Sequence, residues 1–359
     1  MDHVGRLRRL RQIVGQDFDA LLISHLPNIR YLCGFTGSTA VLIVTANKAV
    51  LITDGRYTLQ ARAEVRGARV VISRKGAFAA AAEWLGSNFG KSSVMGIEGE
   101  HLTVAAREQF RKLLPEGLRV RNAPDYVRQA RMVKDEDEIA SLKNAVLLAA
   151  KLFDTAVETI RPGVKEVEVA AEMEYAARCA GAEGMSFETI VASGQRSALP
   201  HGRASQAAIP RSGFVVCDFG VILSGYCSDM TRTVHVGRPS GEAQRIYGAV
   251  REAQEAGVAA VAPGVTAAEV DGAARKVLQK AGFGRFFTHS TGHGVGLEIH
   301  EPPRVATGRN EVLQPGMVIT IEPGAYIPGK WGVRIEDMVV VAERGCEVLT
   351  PTRKELISL

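Results

Sequence analysis

Residues 214–220, Phe-Val-Val-Cys-Asp-Phe-Gly, and residues 317–324, Met-Val-Ile-Thr-Ile-Glu-Pro-Gly, are built alike. Each is a short apolar run that ends on a carboxylate followed by x-Gly. Runs of this length, rich in Val and Ile, read as strands. The likeness extends outward. Pro162-Gly163-Val164, Glu168-Val169 and Ala180-Gly181 precede the first run. Pro263-Gly264-Val265, Glu269-Val270 and Ala281-Gly282 precede the second, each displaced by 101 residues. A helix is predicted between each Pro-Gly and the following Ala-Gly. Solenoid repeats run at shorter periods. Two copies at this spacing predict a duplicated domain with a pseudo-twofold axis.

Each strand returns with a second carboxylate. The midpoint of Asp218 and Asp229 falls between Leu223 and Ser224, beside Gly225. The midpoint of Glu322 and Glu336 is Gly329, inside the turn signal Ile327-Pro328-Gly329-Lys330. Hairpins at these points set Asp218 roughly opposite Asp229 and Glu322 opposite Glu336. Like charges facing each other across a sheet are destabilising. One such pair has an ordinary explanation, two solvated carboxylates near a turn. Two related pairs, both flanked by apolar strand residues, require a counter-charge, and a divalent cation supplies it. Arg334 offers a salt bridge to Glu336, an arrangement that can coexist with metal.

Histidine adds to this. His289, His293 and His300 fall in Thr288-His289-Ser290-Thr291-Gly292-His293-Gly294-Val295-Gly296-Leu297-Glu298-Ile299-His300-Glu301. The glycines argue against a long helix. They permit close backbone approach or positive φ. A lone histidine is more often structural. Three in one such segment, beside four paired carboxylates, read as site residues.

A chain of 359 residues exceeds what one core usually serves, so two domains are expected. Residues 20–23, 40–44, 50–52 and 70–72 read as strands and residues 77–86 and 103–114 as helices, giving a small α/β domain over 1–128. The charged run Lys134-Asp135-Glu136-Asp137-Glu138 opens a helix from about 135 to 160, acidic in its first turn as the dipole favours. The duplicated domain occupies 129–359. The net charge of +5 is spread along the chain. The cluster Arg6, Arg8, Arg9 and Arg11 reads as a solvated helix face, so nucleic acid is not an expected partner. Five scattered cysteines without a C-x-x-C pair argue against a disulfide framework. There is no apolar leader and no uninterrupted apolar stretch of spanning length. The cytoplasm is the expected compartment, with no membrane partner.

The segments Cys217-Asp218-Phe219-Gly220, Ser228-Asp229-Met230-Thr231-Arg232-Thr233, Gly292-His293-Gly294-Val295-Gly296-Leu297 with His300-Glu301, Ile321-Glu322-Pro323-Gly324 and Val333-Arg334-Ile335-Glu336-Asp337 resemble the pita-bread metallopeptidases, peptidase family M24. The match runs from about 130 to the C-terminus. Asn28-Ile29-Arg30-Tyr31-Leu32, Gly34-Phe35-Thr36-Gly37-Ser38 and Thr53-Asp54-Gly55-Arg56-Tyr57 resemble the accessory domain of the Xaa-Pro peptidases and creatinase. The implied fold class is α/β (α+β), a creatinase-like domain followed by a duplicated pita-bread domain. The resemblance implies a homodimer and two divalent metal ions, with Mn(II) first and Co(II) or Zn(II) as alternatives. The implied metal ligands are Asp218, Asp229, His293, Glu322 and Glu336, with Asp229 and Glu336 bridging and a water or hydroxide between the ions as nucleophile. Glu322 would also shuttle its proton. His201, in Leu199-Pro200-His201-Gly202, matches the position that stabilises the tetrahedral intermediate. His289 and His300 match residues that contact substrate or pass protons, and Arg334 one that orients its neighbours.

The implied substrates are proline-containing peptides. The expected activity is an Xaa-Pro aminopeptidase, with an Xaa-Pro dipeptidase (prolidase) as the alternative. Arg304, just after His300, is the candidate carboxylate clamp that a dipeptidase needs. Creatinase-like amidinohydrolases share the fold without these ligands, and non-catalytic pita-bread modules lose ligands or site histidines. Neither description suits a chain that keeps all of them.

Overall fold

The computed structural model describes all 359 residues, which divide into two compact units, Met1–Arg131 and Met132–Leu359. No helix is long and apolar enough to cross a membrane.

The first unit is built on a six-stranded sheet. Its order is Arg69–Ser73, Ala49–Asp54, Ala40–Val44, Ala20–Ile23, Val94–Ile97, Arg119–Asn122. The three central strands pair antiparallel, and the outer ones join in parallel. Ala40–Val44 is buried at every position, which is why its sequence is a continuous apolar run and does not alternate. Val41, Ile43, Val50 and Ile52 meet Ala81, Ala82 and Leu85 of the helix Ala77–Asn88. Two strands are absent from the expected set. Val94–Ile97 contains Gly96, where a Cβ would crowd Leu21 and Phe18, and Arg119–Asn122 is a polar edge. The helix Leu26–Cys33 is a further addition to the expected elements. It carries Pro27 in its first turn and ends at Gly34, whose φ is +82°. One expectation fails in detail. Arg6 is not on a solvated face; it is buried, stacks on Tyr31 at 4.0 Å and donates to the Tyr31 carbonyl at 3.1 Å.

In the second unit the long helix Glu136–Thr159 starts at Asp135, whose carboxylate accepts from Glu138 N at 2.9 Å while Asp135 N donates to the Glu138 carboxylate at 3.1 Å. The repeat read in the sequence is present in space. Helices Glu166–Cys179 and Ala267–Lys280 occupy equivalent places, each flanked by positive-φ glycines, Gly163 and Gly181 for one, Gly264 and Gly282 for the other. Each half sends its strand past its helices. Strand Gly213–Phe219 lies between Met230–Val236 and Ile190–Ser193. Strand Val318–Ile321 lies between Gly292–Gly294 and Asp337–Val341 in a five-stranded sheet.

Strand alternation fixes the site. Val215, Cys217 and Phe219 join Ala149, Leu152, Phe153, Val169 and Met173 of the helices in one core. The opposite face of the same strand carries Phe214, Val216 and Asp218. In the second half Ile319 and Ile321 pack with Val261 and Val270, so Val318, Thr320 and Glu322 share the other face. A one-residue slip would drive Asp218 or Glu322 into the helix core, so burial specifies the register strongly.

All five cysteines are free; Cys33, Cys217 and Cys227 are buried, Cys346 is partly buried and Cys179 is exposed.

Candidate metal centre

The second hairpin follows the expected geometry. Gly324 pairs with Arg334, Ile327 with Trp331 and Ile321 with Asp337, and the same register sets Glu322 directly opposite Glu336. The first hairpin differs by one step. Leu223 pairs with Tyr226 across a two-residue turn, Ser224-Gly225, in which both residues have positive φ (52° and 81°). Asp218 therefore faces Thr231, and Asp229 lies diagonally from it on the same face. Turn chemistry, set by the backbone of Ser224 and Gly225, overrides the simple midpoint.

The two hairpins converge. Ligand-capable atoms of Asp229, His293 and Glu336 lie within 4.8 Å of one another. His293 Nε2 is 3.5 Å from Asp229 Oδ2 and 3.7 Å from Glu322 Oε1. Its Nδ1 lies 3.0 Å from the Gly294 carbonyl, the partner that turns Nε2 towards the carboxylates. Gly292 and Gly294 flank it for reasons of space. A Cβ would lie 1.9 Å from the Thr320 oxygen in the first case and 2.2 Å from the Pro302 oxygen in the second. Neither has positive φ, so close approach is the constraint here.

Asp218 and Glu322 stand outside the tight group; Arg334 holds the Asp218 Oδ2 through a charged hydrogen bond. The direct salt bridge that Arg334 could offer Glu336 is not formed. Arg334 Nε donates to Thr231 Oγ1 at 3.1 Å, and Thr231 donates to Glu336 Oε2 at 2.7 Å, so a hydroxyl from the first hairpin joins the two. Arg334 also donates to Tyr326 Oη at 2.7 Å and to the Pro200 carbonyl at 3.0 Å.

The electrostatics are strained without a cation. Burial pushes Asp229 well above the usual carboxylate range, and the charges of Asp218 and Glu322 add to it against the pull of Arg334. Burial does the same to Glu336, reinforced by Asp229, Glu322 and Asp218. Glu322 is raised by burial and partly restrained by His293 and Arg334. Asp218 Oδ1 and Glu336 Oε1 are buried without a hydrogen-bond partner. Buried carboxylates with unused oxygens, one imidazole nitrogen and mutual repulsion form a donor set suited to divalent cations.

The other histidines are placed around this group. The His300 ring lies edge-on to His293, with centroids 4.4 Å apart, and burial lowers its pKa. His289 Nε2 is 3.0 Å from Tyr326 Oη, and burial, with Arg334 next, brings its pKa to about 4. Its ring is therefore neutral at neutral pH. His201 is exposed, close enough for its charge to act on both His289 and His300. Arg304 is exposed and pairs in register with His293, so both point from one face.

Sequence reading missed several supporting residues. Thr231 and Tyr326 are two. Asp337 is a third; it is fully buried, receives Arg232 at 2.7 Å, Gln254 at 2.9 Å and Lys354 at 3.0 Å, and sits directly after Glu336. Asp271 is a fourth. It accepts from Thr291 Oγ1 (2.7 Å), Thr307 Oγ1 (2.8 Å) and Arg275 (2.8 Å), while Arg275 donates to the carbonyls of Phe287 and His289. An acid inside a helical pattern gives no signal of such a task, because its partners lie far along the chain.

A family model described as "Metallopeptidase family M24" matches residues 140–343, and one described as "Creatinase/Prolidase N-terminal domain" matches residues 6–133. An Xaa-Pro dipeptidase of Pyrococcus horikoshii is 40% identical over 341 residues, covering 94% of each chain. Among solved structures, an Xaa-Pro dipeptidase from Bacillus anthracis superposes with a TM-score of 0.93 at 40% identity, covering 100% of this chain and 99% of the other. An X-Pro aminopeptidase from Thermotoga maritima superposes with a TM-score of 0.90 at 38% identity, covering 99% of this chain and 100% of the other. With its paired carboxylates, its duplicated fold and these relatives, the chain belongs to metallopeptidase family M24 and carries that family's domain behind a creatinase/prolidase N-terminal domain.

Proposed function

We propose that the chain is a metal-dependent Xaa-Pro dipeptidase in which Asp218, Asp229, His293, Glu322 and Glu336 would hold two divalent ions. The observation that carries the dipeptidase reading over the aminopeptidase one is Arg304. Arg304 is exposed and lies in register with His293, so its guanidinium would be free to take the C-terminal carboxylate of a dipeptide bound beside His293. Relatives described as Xaa-Pro dipeptidases support the same choice. An oxygen-rich donor set with a single nitrogen suits Mn(II), and accommodates Co(II) or Zn(II).

Bound there, the ions supply a water of lowered pKa and a Lewis acid for the scissile carbonyl. The chain's own residues do the rest. Glu322, raised by burial, accepts a proton from the attacking water and returns it to the proline nitrogen. His201 donates a hydrogen bond to the oxygen that gains charge. His289 is neutral and, through Tyr326, lies on the same network as Arg334, which holds the Asp218 carboxylate in place. His300 stands beside His293 as a substrate or proton contact. An Xaa-Pro bond lacks an N–H, so recognition falls to the peptide's charged ends and the proline ring.

The test is hydrolysis of Ala-Pro and Ala-Pro-Ala by Mn(II)-loaded protein, with a chelated control. Cleavage of the dipeptide alone, with KM for Ala-Pro raised by about 10-fold or more in Arg304→Met, is the expected result. Cleavage of the tripeptide at a comparable kcat/KM, with Arg304→Met unaffected, returns the reading to an aminopeptidase. Cleavage of neither removes the proline specificity.

A further inference from the structure

Glu166 begins the helix Glu166–Cys179 and is wholly buried. Its carboxylate is surrounded by donors from one loop. Oε1 accepts from Ser193 N at 2.7 Å and from Ser193 Oγ at 2.9 Å. Oε2 accepts from Ser205 N at 3.1 Å, Ser205 Oγ at 2.7 Å and Arg196 Nε at 3.0 Å. Arg196 spans the same loop, donating to the Arg203 carbonyl at 2.8 Å. Ser193 and Ser205 are the two feet of the segment that carries His201.

Between those feet the chain makes a 3-10 turn, Gly194–Ala198, and then a second turn closed by Gly202 N to the Leu199 carbonyl at 3.0 Å. Pro200 and His201 occupy the tip. On the site side Arg334 holds the tip through the Pro200 carbonyl, and Gly332 N holds the 3-10 turn before it through Ser197 Oγ at 2.9 Å. On the far side everything converges on Glu166. A buried carboxylate costs several kcal/mol to desolvate, and a helix packed on an apolar strand needs none for stability alone. What this one does is draw two loop feet, twelve residues apart, onto a single charge.

We infer that Glu166 is a positioning residue: it fixes the feet of the Ser193–Ser205 loop so that His201 at the tip meets the developing oxyanion. The inference rests on the role proposed above for His201. In Glu166→Gln the amide must turn its NH2 towards one foot's donors, releasing that foot while keeping the other. A tip displaced by about 1 Å loses about 10- to 100-fold in turnover. The helix, the ions and the substrate's charged ends are left as they were.

The experiment is a double-mutant cycle on the Mn(II)-loaded full chain with Ala-Pro, comparing wild type, Glu166→Gln, His201→Ala and the double variant. Metal content is measured for each. Expected is a kcat lowered about 10-fold or more by Glu166→Gln at unchanged metal content and with KM within about 2-fold, and a further change of no more than about 2-fold when the substitution is made in His201→Ala. Ser205→Ala, which removes one donor and leaves the charge, shows a smaller drop that also vanishes without His201, and it serves if Glu166→Gln does not fold. The same loss with and without His201, or full turnover in Glu166→Gln, overturns the inference while leaving the role of His201 standing. Full turnover in His201→Ala overturns that role, and the inference with it.

Discussion

The two halves of the second unit use the same plan to opposite ends. In the first, a two-residue turn sets the carboxylates diagonally, and one of them, Asp218, is held by an arginine from the other half. In the second, a three-residue turn sets Glu322 and Glu336 face to face, and a third strand brings His293 against them. Each half also buries one acid in its equivalent helix to hold a loop: Glu166 binds the loop of His201, and Asp271 the segment of His289 and Thr291. Duplication thus accounts for the two strands and two anchoring helices. Divergence accounts for the asymmetry a reaction needs: each half gives two carboxylates, but the second adds His289, His293 and His300 where the first adds only His201.

The largest break in this comparison comes from Asp229→Asn, which takes the first half's share out of the converging group. Loss of a partner that merely supports a ligand costs about 10–100-fold, so loss of this carboxylate should exceed that in kcat/KM. Bound metal, measured by plasma emission spectrometry, should fall with it; normal metal and full activity would exclude Asp229 from the centre. Thr231→Val removes the hydroxyl that ties the halves. A drop of about 10–100-fold in metal affinity or turnover is expected, and titration of the apoprotein with Mn(II) reads it directly. If affinity and rate both hold, Arg334 and Glu336 are coupled by something other than that hydroxyl.

Asp271→Asn sharpens the comparison of the anchors. Burial opposes ionisation of Asp271, but hydrogen bonds from Arg275, Thr291 and Thr307 prevail and hold its pKa below the ordinary value. A depressed carboxylate contributes stability above its unfolded pKa, and that contribution is lost as pH falls through the folded value. The variant should be about 2 kcal/mol less stable at pH 7, with the gap closing below about pH 4. Denaturant unfolding at several pH values measures it, and a gap constant with pH would show that charge is not the cause. The smallest effect is expected at the helix starts. Thr266 caps Ala267–Lys280, with its Oγ1 accepting from Glu269 N, whereas Lys165 at the equivalent place offers no acceptor. Lys165→Ser should gain about 0.5–1 kcal/mol. No gain in thermal unfolding would mean the first half's cap is already satisfied.

The sequence carried the repeat well because each copy is local: a strand, a turn, an acid, a helix between glycines. It carried the second hairpin better than the first, since Pro328-Gly329 marks its turn while the Ser224-Gly225 turn depends on backbone angles no residue name states. The actual partner of Arg334 is hidden from the sequence in a similar way. Glu336 is two residues from it, but the side chain crosses to Asp218, 116 residues earlier, and reaches Glu336 only through Thr231. Polar residues whose partners come from distant segments, such as Glu166, Asp271 and Asp337, have no periodic signature. Arg6 departs from the solvated face for a simpler reason: its aliphatic stem and its stacking on Tyr31 bury it, while Arg8 and Arg9 beside it stay exposed.

The cysteines have a practical consequence. Burial pushes the thiols of Cys33, Cys217 and Cys227 up to about 12 and raises that of Cys346, so their thiolate populations at neutral pH are low. Cys179 is exposed and ends the helix that Glu166 begins, about 20 Å away along its axis. A maleimide fluorophore or spin label can therefore be attached to the natural sequence at a single place. There it rides the same rod that anchors the His201 loop, yet stands too far off to disturb it, a built-in handle for watching that loop in solution.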